Sequence, residues 1–168
     1  MVGWQTFGWR KYEALDSTMR ELIRPLHDAM HEEIGLIDAD TNAFDDYMAA
    51  MKLPKGTEAE KAARDAAMQE GLRVAIEVPL RTMRAGDACW DAFLGVAQHG
   101  NVACLSDMQV GARALEVGIW GAQQNVLINA SDVTDDAYRA KAEGEAAEMA
   151  ERAKTKCEEV LALLEGRK

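Results

Sequence analysis

Apolar residues recur every three or four positions along most of this chain, the spacing that places them on one face of an α-helix. The pattern covers a first segment from about Phe7 to Lys52, a second from about Glu58, a third from Asn101 to Asn129, and an Ala/Glu/Lys-rich tail to Glu165. Short turns separate the segments. We therefore predict an all-α protein of four to six helices, several of about 20 residues or more, packed as an antiparallel bundle in a single domain over residues 1–168.

Proline and capping residues predict where the helices break and begin. Pro25 should kink or split the first helix near Arg24, and Pro79 should kink or end the second near Val78, because proline lacks the N–H that a helix interior needs. Thr57 followed three residues later by glutamate forms a capping-box signal, so the second helix should begin near residue 58.

Glycine and asparagine mark the boundaries around a shorter helix that should follow Gly86. Gly100 is predicted to be its C-cap residue. Asn101 or Ser106 can cap the long helix that comes next, and Thr134 with the two aspartates after it can cap the last one.

The helix between Asn101 and Asn129 carries an unusual stripe of small residues with polar residues among them. A core stripe is ordinarily made of Leu, Ile and Val, whereas small side chains allow a second backbone or a flat ligand to approach closely. Two interpretations stay open, namely tight helix packing and a ligand-binding wall. Asn125 favours the wall, because asparagine is a poor residue for a helix interior. The stripe consists of Asp107, Gly111, Ala114, Gly118, Gly121, Ala122, Asn125 and Asn129.

Asp40 is the strongest candidate for acid–base chemistry in the first helix. An apolar face is predicted there from Ile37, Thr41, Phe44, Met48 and Met51. Asp40 falls within that arc, and Asp38 projects nearly opposite. A carboxylate on an apolar face is desolvated, which raises its pKa towards the range useful for proton transfer. The alternative is a structural aspartate that caps or pairs with a cation between helices.

Charge restricts the partners of this protein. The formal net charge is −10 and the sequence pI is about 4.8, which argues against nucleic acids and anionic membranes because phosphate contacts need clustered Lys and Arg. A few local cations can still attract a small anion. Lys52 and Lys55 are the best candidates for the anionic tail of a ligand, and solvated surface lysines are the alternative.

Cysteine and histidine usage predicts the compartment and argues against a metal. Cys89, Cys104 and Cys157 are odd in number and widely spaced, which fits a reducing cytoplasm better than a disulfide framework. No apolar run approaches the roughly 20 residues that span a bilayer. His27 and His31 lie one turn apart but have no third ligand nearby, so we predict a solvated helix face there and no metal site.

Two sequence blocks together carry a resemblance to a known family. They are LIDADTNAFDDYMAAMKLPK at 36–55 and GNVACLSDMQVGARALEVGIWGAQQNVLIN at 100–129, the latter followed by SDVTDDAY. The chain resembles, over nearly its whole length, the cyclodeaminase domain of formimidoyltransferase-cyclodeaminase, a family that includes stand-alone bacterial cyclodeaminases and methenyltetrahydrofolate cyclohydrolases. The family usually begins with a Gly-rich turn and an Ala-rich helix. Residues 1–3 match the end of that helix, so we expect the chain to be truncated at its N-terminus.

The resemblance implies a dimer-forming or larger homo-oligomeric all-α domain that acts on a tetrahydrofolate derivative, with one or several glutamates in its tail. It implies that ammonia leaves the 5-formimidoyl group while a 5,10-methenyl bridge closes, without a metal or redox cofactor. A separate formimidoyltransferase would load that group during histidine breakdown. Two alternatives stay open: a methenyltetrahydrofolate cyclohydrolase, and a catalytically inactive helical module that binds folate or dimerises.

Candidate roles follow from the reaction that the resemblance implies. One folate nitrogen must lose a proton and the departing amino group must gain one. The acid–base candidates are Asp40 and Asp107. The expected substrate-binding residues, for the pterin edge, for orienting the carboxylates or for the glutamate tail, are Asp38, Lys52, Lys55, Asn101, Asn125 and Asn129.

Overall fold

The computed structural model describes residues 1–167, and five α-helices account for most of them. The helices are α1 (Asp16–Met51), α2 (Glu58–Asp87), α3 (Trp90–His99), α4 (Leu105–Ala130) and α5 (Asp136–Glu165). Two short 3-10 segments, Arg10–Leu15 and Val102–Cys104, precede α1 and α4. No strand occurs within residues 1–167. The predicted all-α class is confirmed.

Helix α2 is the centre of the bundle. Its buried residues include Leu72, Ile76, Leu80 and Met83, and it packs against α1, α4 and α5. Contacts between helices give their directions. Gly71 meets Tyr47 while Arg81 meets Glu32, so α1 and α2 are antiparallel.

The remaining directions follow from contacts that α2 makes at its middle and at its C-terminal end. Asn129 donates to the carbonyl of Ala75, and Gly86 lies against Ile119, so α4 is antiparallel to α2 and parallel to α1. Arg73 pairs with Asp135, directly before α5, and Asp87 pairs with Arg152, in the second half of α5. Helix α5 is therefore parallel to α2. Successive long helices, with the short α3 left aside, are therefore antiparallel, as predicted: α1 to α2, α2 to α4, and α4 to α5.

Neither proline splits its helix. Helix α1 continues through Pro25 and α2 continues through Pro79, so the predicted ends near Arg24 and Val78 were wrong, and the alternative of a kink at each proline stays a prediction. A proline removes one backbone hydrogen bond, whereas most helical stability in proteins comes from tertiary packing of a buried face. Both helices have buried residues before and after the proline. Packing on both sides therefore holds each helix in one piece.

The capping predictions for α2 and α3 are confirmed. Thr57 Oγ1 accepts the backbone N–H of Glu60 at 3.2 Å, and Glu60 Oε2 accepts the backbone N–H of Thr57 at 2.9 Å. Helix α2 begins directly afterwards. Gly100 is the C-cap residue of α3, and close contact is the reason for glycine here, since an added Cβ would lie 2.5 Å from the carbonyl oxygen of Val96.

Helix α1 begins later than the sequence pattern suggests. Residues 2–8 form turns, and Gly8 has a positive φ of 76° that other residues rarely adopt. The backbone N–H of Gly8 donates to Asp16 Oδ1 at 2.9 Å, at the first residue of α1. The N-terminal segment therefore folds back over the bundle instead of extending the helix.

No helix in the described part of the chain, residues 1–167, combines the length and the apolar character needed to cross a bilayer.

The close approach of α1 to α2 at Gly71 gives a stability prediction. An added Cβ at Gly71 would lie 3.2 Å from the backbone Cα of Tyr47. We expect Gly71→Leu to lower the free energy of unfolding by about 1–3 kcal/mol, because overpacking forces the two helices apart. Gly144→Leu is the control, since an added Cβ on that exposed residue of α5 meets nothing within 4 Å. Chemical denaturation measures both, and equal midpoints for the two variants would contradict this account of the contact.

Candidate functional site

A long groove lies between α1 and α4, with α3 and the N-terminal segment beneath one end and α2 beneath the rest. It consists of three adjoining cavities with volumes of about 460, 270 and 230 Å³. The first and second share Leu26 and Met30. The second and third share Glu33 and Thr82. Because neighbouring cavities share lining residues, they form one continuous groove along the two parallel helices.

The stripe of small residues on α4 forms one wall of this groove. An added Cβ at Gly118 would meet no heavy atom within 4 Å, so tight helix packing does not explain that glycine. Open space beside a small residue is what a ligand wall requires. Six of the eight stripe residues line the groove, namely Asp107, Gly111, Ala114, Gly118, Ala122 and Asn125.

Helix α1 supplies the opposite wall, with larger side chains. Its lining residues recur at helical spacing, and they include Leu26, Met30, Glu33, Ile37 and Asp40. The floor comes from α2 and the turn after it, through Pro79, Thr82, Gly86 and Cys89. The groove is therefore largely apolar, and its polar groups are concentrated at identifiable positions.

Asp40 lines the third cavity but is not desolvated as predicted. The predicted inward face of α1 is exposed, with Ile37 at 66% and Phe44 at 61% of their full exposure, whereas Leu36 and Ala43 are buried. Asp40 is itself exposed and lies at the edge of the groove. Helix α1 carries two apolar stripes, and the sequence alone does not show which one packs inside.

Asp40 and Asn125 lie in the same cavity, on facing walls. Together with Glu33 and Thr82 they give the third cavity two carboxyl groups, a carboxamide and a hydroxyl. A carboxamide donates and accepts hydrogen bonds, and a carboxylate accepts protons. This end of the groove can bind a polar ring edge and move protons. Asp38 is exposed and is not among the residues lining the three cavities.

Glu33 is the residue that sequence analysis missed. It is half-buried in the groove wall, two turns before Asp40 and on the same face of α1. Burial raises the pKa of the Glu33 carboxyl above its usual value, and the neighbouring charge of Glu32 raises it further. The signal in the sequence was the seven-residue spacing from Asp40, which an ordinary pair of surface glutamates also gives.

Asp107 lies at the other end of the groove. It lines the first cavity with Gly111, Met108 and residues of the N-terminal segment. Positions 107 and 125 differ by eighteen residues, which is about 27 Å along a helix. Within one chain, therefore, Asp107 and Asp40 cannot act on the same bond, and the structure does not bring this predicted pair together. His27 and His31 are exposed, as predicted.

Asn101 and Asn129 are engaged in structural hydrogen bonds. Asn101 Oδ1 accepts the Tyr12 hydroxyl and the Ala103 N–H, both at 3.0 Å, and its Nδ2 donates to the Gln5 carbonyl at 3.2 Å. Asn129 Nδ2 donates to the Ala75 carbonyl at 2.9 Å. These contacts hold the N-terminal segment and α2 in place. The two asparagines have a structural role and do not line the three cavities.

Lys52 and Lys55 lie in the turn between α1 and α2. Both are exposed, and neither lines the three cavities. Lys52 follows Asp40 by twelve residues, which is about 18 Å along the direction of α1. Their role for an anionic ligand tail stays a prediction, and it requires a ligand that extends well beyond the third cavity.

The chain matches known proteins along nearly its whole length. Residues 1–148 match the family described as Formiminotransferase-cyclodeaminase. The formimidoyltransferase-cyclodeaminases of Sus scrofa and Dictyostelium discoideum are 49% and 48% identical to it, over 99% and 100% of this chain. The alignments cover 31% and 30% of those proteins. The chain therefore spans about a third of the length of these relatives.

Two further similarities concern a shorter relative and a solved structure. The methenyltetrahydrofolate cyclohydrolase of Methylorubrum extorquens is 35% identical over 79% of this chain and 64% of its own length. The crystal structure of formiminotetrahydrofolate cyclodeaminase from Thermotoga maritima superposes with a TM-score of 0.85 at 24% identity, covering 99% of this chain and 79% of that one. The second similarity shows that the fold is shared.

Proposed function

The chain belongs to the formiminotransferase-cyclodeaminase family, and on that premise we propose that it is a formimidoyltetrahydrofolate cyclodeaminase, an ammonia-lyase. It would convert 5-formimidoyltetrahydrofolate to 5,10-methenyltetrahydrofolate and release ammonia. The observation that carries this proposal is the third cavity, in which Asp40 and Asn125 face each other across a groove between two helices.

The reaction itself needs little from the protein beyond positioning and proton transfer. N10 of the folate attacks the formimidoyl carbon and forms the new C–N bond. The bond from that carbon to the amino nitrogen then breaks, and ammonia leaves. Because nucleophile and electrophile belong to one molecule, the protein mainly holds the conformer in which they meet. A groove with one wall of small residues suits a flat pterin ring.

Asp40 is the proposed base for the N10 proton. Its carboxylate lies at the cavity edge, where water can exchange with it, and a positioned base typically contributes about 10²- to 10⁴-fold in rate. Asn125 on the facing wall can hydrogen-bond the donor and acceptor groups of the pterin edge. No step of this proposal requires a metal or redox cofactor.

Following two products separates this function from its nearest alternative. Purified protein is given 5-formimidoyltetrahydrofolate, and both methenyl absorbance and ammonia are measured. Equal appearance of both supports the cyclodeaminase. The similarity to a cyclohydrolase favours one other activity, which would appear as loss of methenyl absorbance from added 5,10-methenyltetrahydrofolate without ammonia. Substrate binding without either change would identify an inactive folate-binding module.

A second copy of the chain is the proposed cover of the open side of the groove. Large apolar residues flank it on both helices and are more than half exposed: Ile34, Ile37 and Phe44 on α1, and Val117 and Ile128 on α4. Monomeric proteins rarely expose extended apolar patches, which usually mark interfaces. Such pairing would exclude water from the site. The homo-oligomer expected from the family resemblance thus has a candidate interface.

Introducing charge into this interface tests the proposed homo-oligomer. We expect wild-type protein to elute as a dimer or larger species and Val117→Glu to dissociate to monomer, because burying an unpaired carboxylate is costly. Light scattering during size-exclusion chromatography measures the mass. Ala147→Glu, on an exposed position of α5, should leave the mass unchanged. A monomeric wild type, or an unchanged mass for Val117→Glu, argues for a different occupant of this face.

A further inference from the structure

Glu33 is a carboxyl group inside the groove that the acid–base scheme with Asp40 does not yet use. It lines both the second and the third cavity, so it lies where the two meet. The third cavity, about 230 Å³, is also the one that contains Asp40 and Asn125. A half-buried carboxyl in an apolar groove is costly to ionise. Glu33 therefore lies beside the proposed reacting centre and has no role yet in the proposed reaction.

The balance of hydrogens in the reaction requires two separate proton transfers to the leaving nitrogen. Neutral 5-formimidoyltetrahydrofolate has one hydrogen on its amino nitrogen and one on N10. Ammonia leaves with three, and the methenyl product carries one positive charge. One proton is therefore released at N10, and one further proton must come from solvent. A base at N10 and an acid at the departing nitrogen are distinct tasks.

We propose that Glu33 is the acid that protonates the departing nitrogen, while Asp40 takes the proton from N10. The assignment rests on the proposed function and adds a second catalytic residue to it. As N10 bonds to the formimidoyl carbon, the electrons of the C=N bond move onto the departing nitrogen, which takes up the proton of Glu33 and becomes an amino group. Solvent at the open groove restores the proton of Glu33, and a second proton from Glu33 converts the amino group to –NH3⁺. The N5 lone pair then re-forms a C=N bond as the C–N bond breaks and neutral ammonia leaves.

The spacing of the two carboxyl groups fits this division. Seven residues place Glu33 and Asp40 on one face of α1, about 10 Å apart along the axis. The flexible glutamate side chain can shorten that distance. Carboxyl groups about 6.5–9.5 Å apart serve opposite sides of a single reacting centre in inverting glycoside hydrolases. N10 and the departing nitrogen are bonded to the same carbon in the intermediate, so this range suits them.

The charged surroundings favour an acid at this position. On α1 the nearby titratable groups are Glu32 and Asp40. In the turn after α2 there is Cys89, whose pKa is raised by burial and by the charge of Glu33. Arg81 of α2 pairs with Glu32 at 3.5 Å. Within residues 1–167 no cation pairs with Glu33 itself.

The α4 wall contributes no charge near Glu33. The α4 residues that share its two cavities are uncharged, namely Ala114, Leu115, Gly118, Ile119, Ala122 and Asn125. Burial and the negative charge of Glu32 raise the pKa of Glu33, so the carboxyl retains its proton to a higher pH than an exposed glutamate. A group that must donate a proton benefits from that shift.

The test compares Glu33→Gln with wild type and with Glu21→Gln, an exposed glutamate of the same helix outside the groove. We expect Glu33→Gln to lower kcat for ammonia release by about 10²- to 10⁴-fold with little change in KM. Wild-type kcat should fall as pH rises through the pKa of Glu33, and this limb should be absent from the residual activity of Glu33→Gln. Glu33→Asp should keep the limb with an intermediate rate. Glu21→Gln should behave as wild type.

The outcomes separate the assignment from folding and from the proposed function. A raised folded-state pKa means that the protonated form stabilises the fold below the unfolded pKa, and this contribution is lost as pH rises through the folded pKa. Glutamine resembles the protonated form, so Glu33→Gln should not melt below wild type at neutral pH. If Glu33→Gln has the same kcat as wild type and the same fall of kcat with rising pH, Glu33 is not the acid. A wild type that forms neither ammonia nor methenyl product would instead overturn the proposed function.

Discussion

Replacing Asp40 by asparagine is expected to lower kcat for ammonia release by about 10²- to 10⁴-fold, because the variant keeps the shape of the side chain but loses the proposed base. Asp40 is exposed at the groove edge, with no ion pair within residues 1–167, so the substitution should not disturb the fold. Substrate affinity should change little, since asparagine can still hydrogen-bond the substrate. Steady-state kinetics with ammonia detection gives kcat and KM separately.

Asp45→Asn is the matched control for this prediction. Asp45 is exposed on the same helix and is not among the residues lining the groove. It should retain wild-type kinetics, and circular dichroism should show equal helix content for both variants. Near-normal turnover by Asp40→Asn would remove Asp40 from the mechanism, and the base would then have to be sought elsewhere in the groove.

Filling the groove at Gly118 is expected to reduce kcat/KM by about 100-fold or more. Gly118 lines the second cavity opposite Glu33, and an added Cβ there has no heavy atom within 4 Å. The side chain in Gly118→Leu therefore occupies space that the proposed substrate would fill, and displacements of about 1 Å can cost 10²-fold in rate. The fold should tolerate it, because leucine is a better helix former than glycine by roughly 1 kcal/mol.

Gly144→Leu provides the same chemical change away from the groove. Gly144 is exposed on α5 and also has open space around an added Cβ. Both variants should melt at or above the wild-type temperature, while only Gly118→Leu loses activity. If Gly118→Leu turns over substrate as well as Gly144→Leu does, the groove between α1 and α4 does not hold the substrate.

Local sequence signals were sufficient for the helices and most of their boundaries. The capping box at Thr57 fixed the start of α2, since it depends on two side chains and two backbone amides within four residues. The prediction of helix breaks at the prolines was wrong because it used a local signal for a property that is not local. Whether a helix survives at Pro25 or Pro79 depends on burial of the segments on each side, and burial is not a local property.

The site was found in part. Spacing singled out the α4 stripe, with a ligand wall and tight packing as its two interpretations, and the structure places Asp40 and Asn125 in one cavity. Asp107 belongs to the same stripe but lies far from Asp40, because one face of a long helix extends along the whole groove, from the first cavity to the third. Glu33 was missed, because a glutamate pair on a helix is ordinarily a solvated surface feature.

The sequence by itself determined the helical class, the family and the small-residue stripe, because periodicity, caps and motifs depend on residues close together in the chain. Only the tertiary structure decided which apolar stripe of α1 is buried, and with it that Asp40 is exposed at the edge of a groove. It also decided that Glu33 belongs to that groove while Asn101 and Asn129 fasten the scaffold. The physical reason is that a helix face acquires its environment from the helices packed against it, and that packing joins residues far apart in the chain.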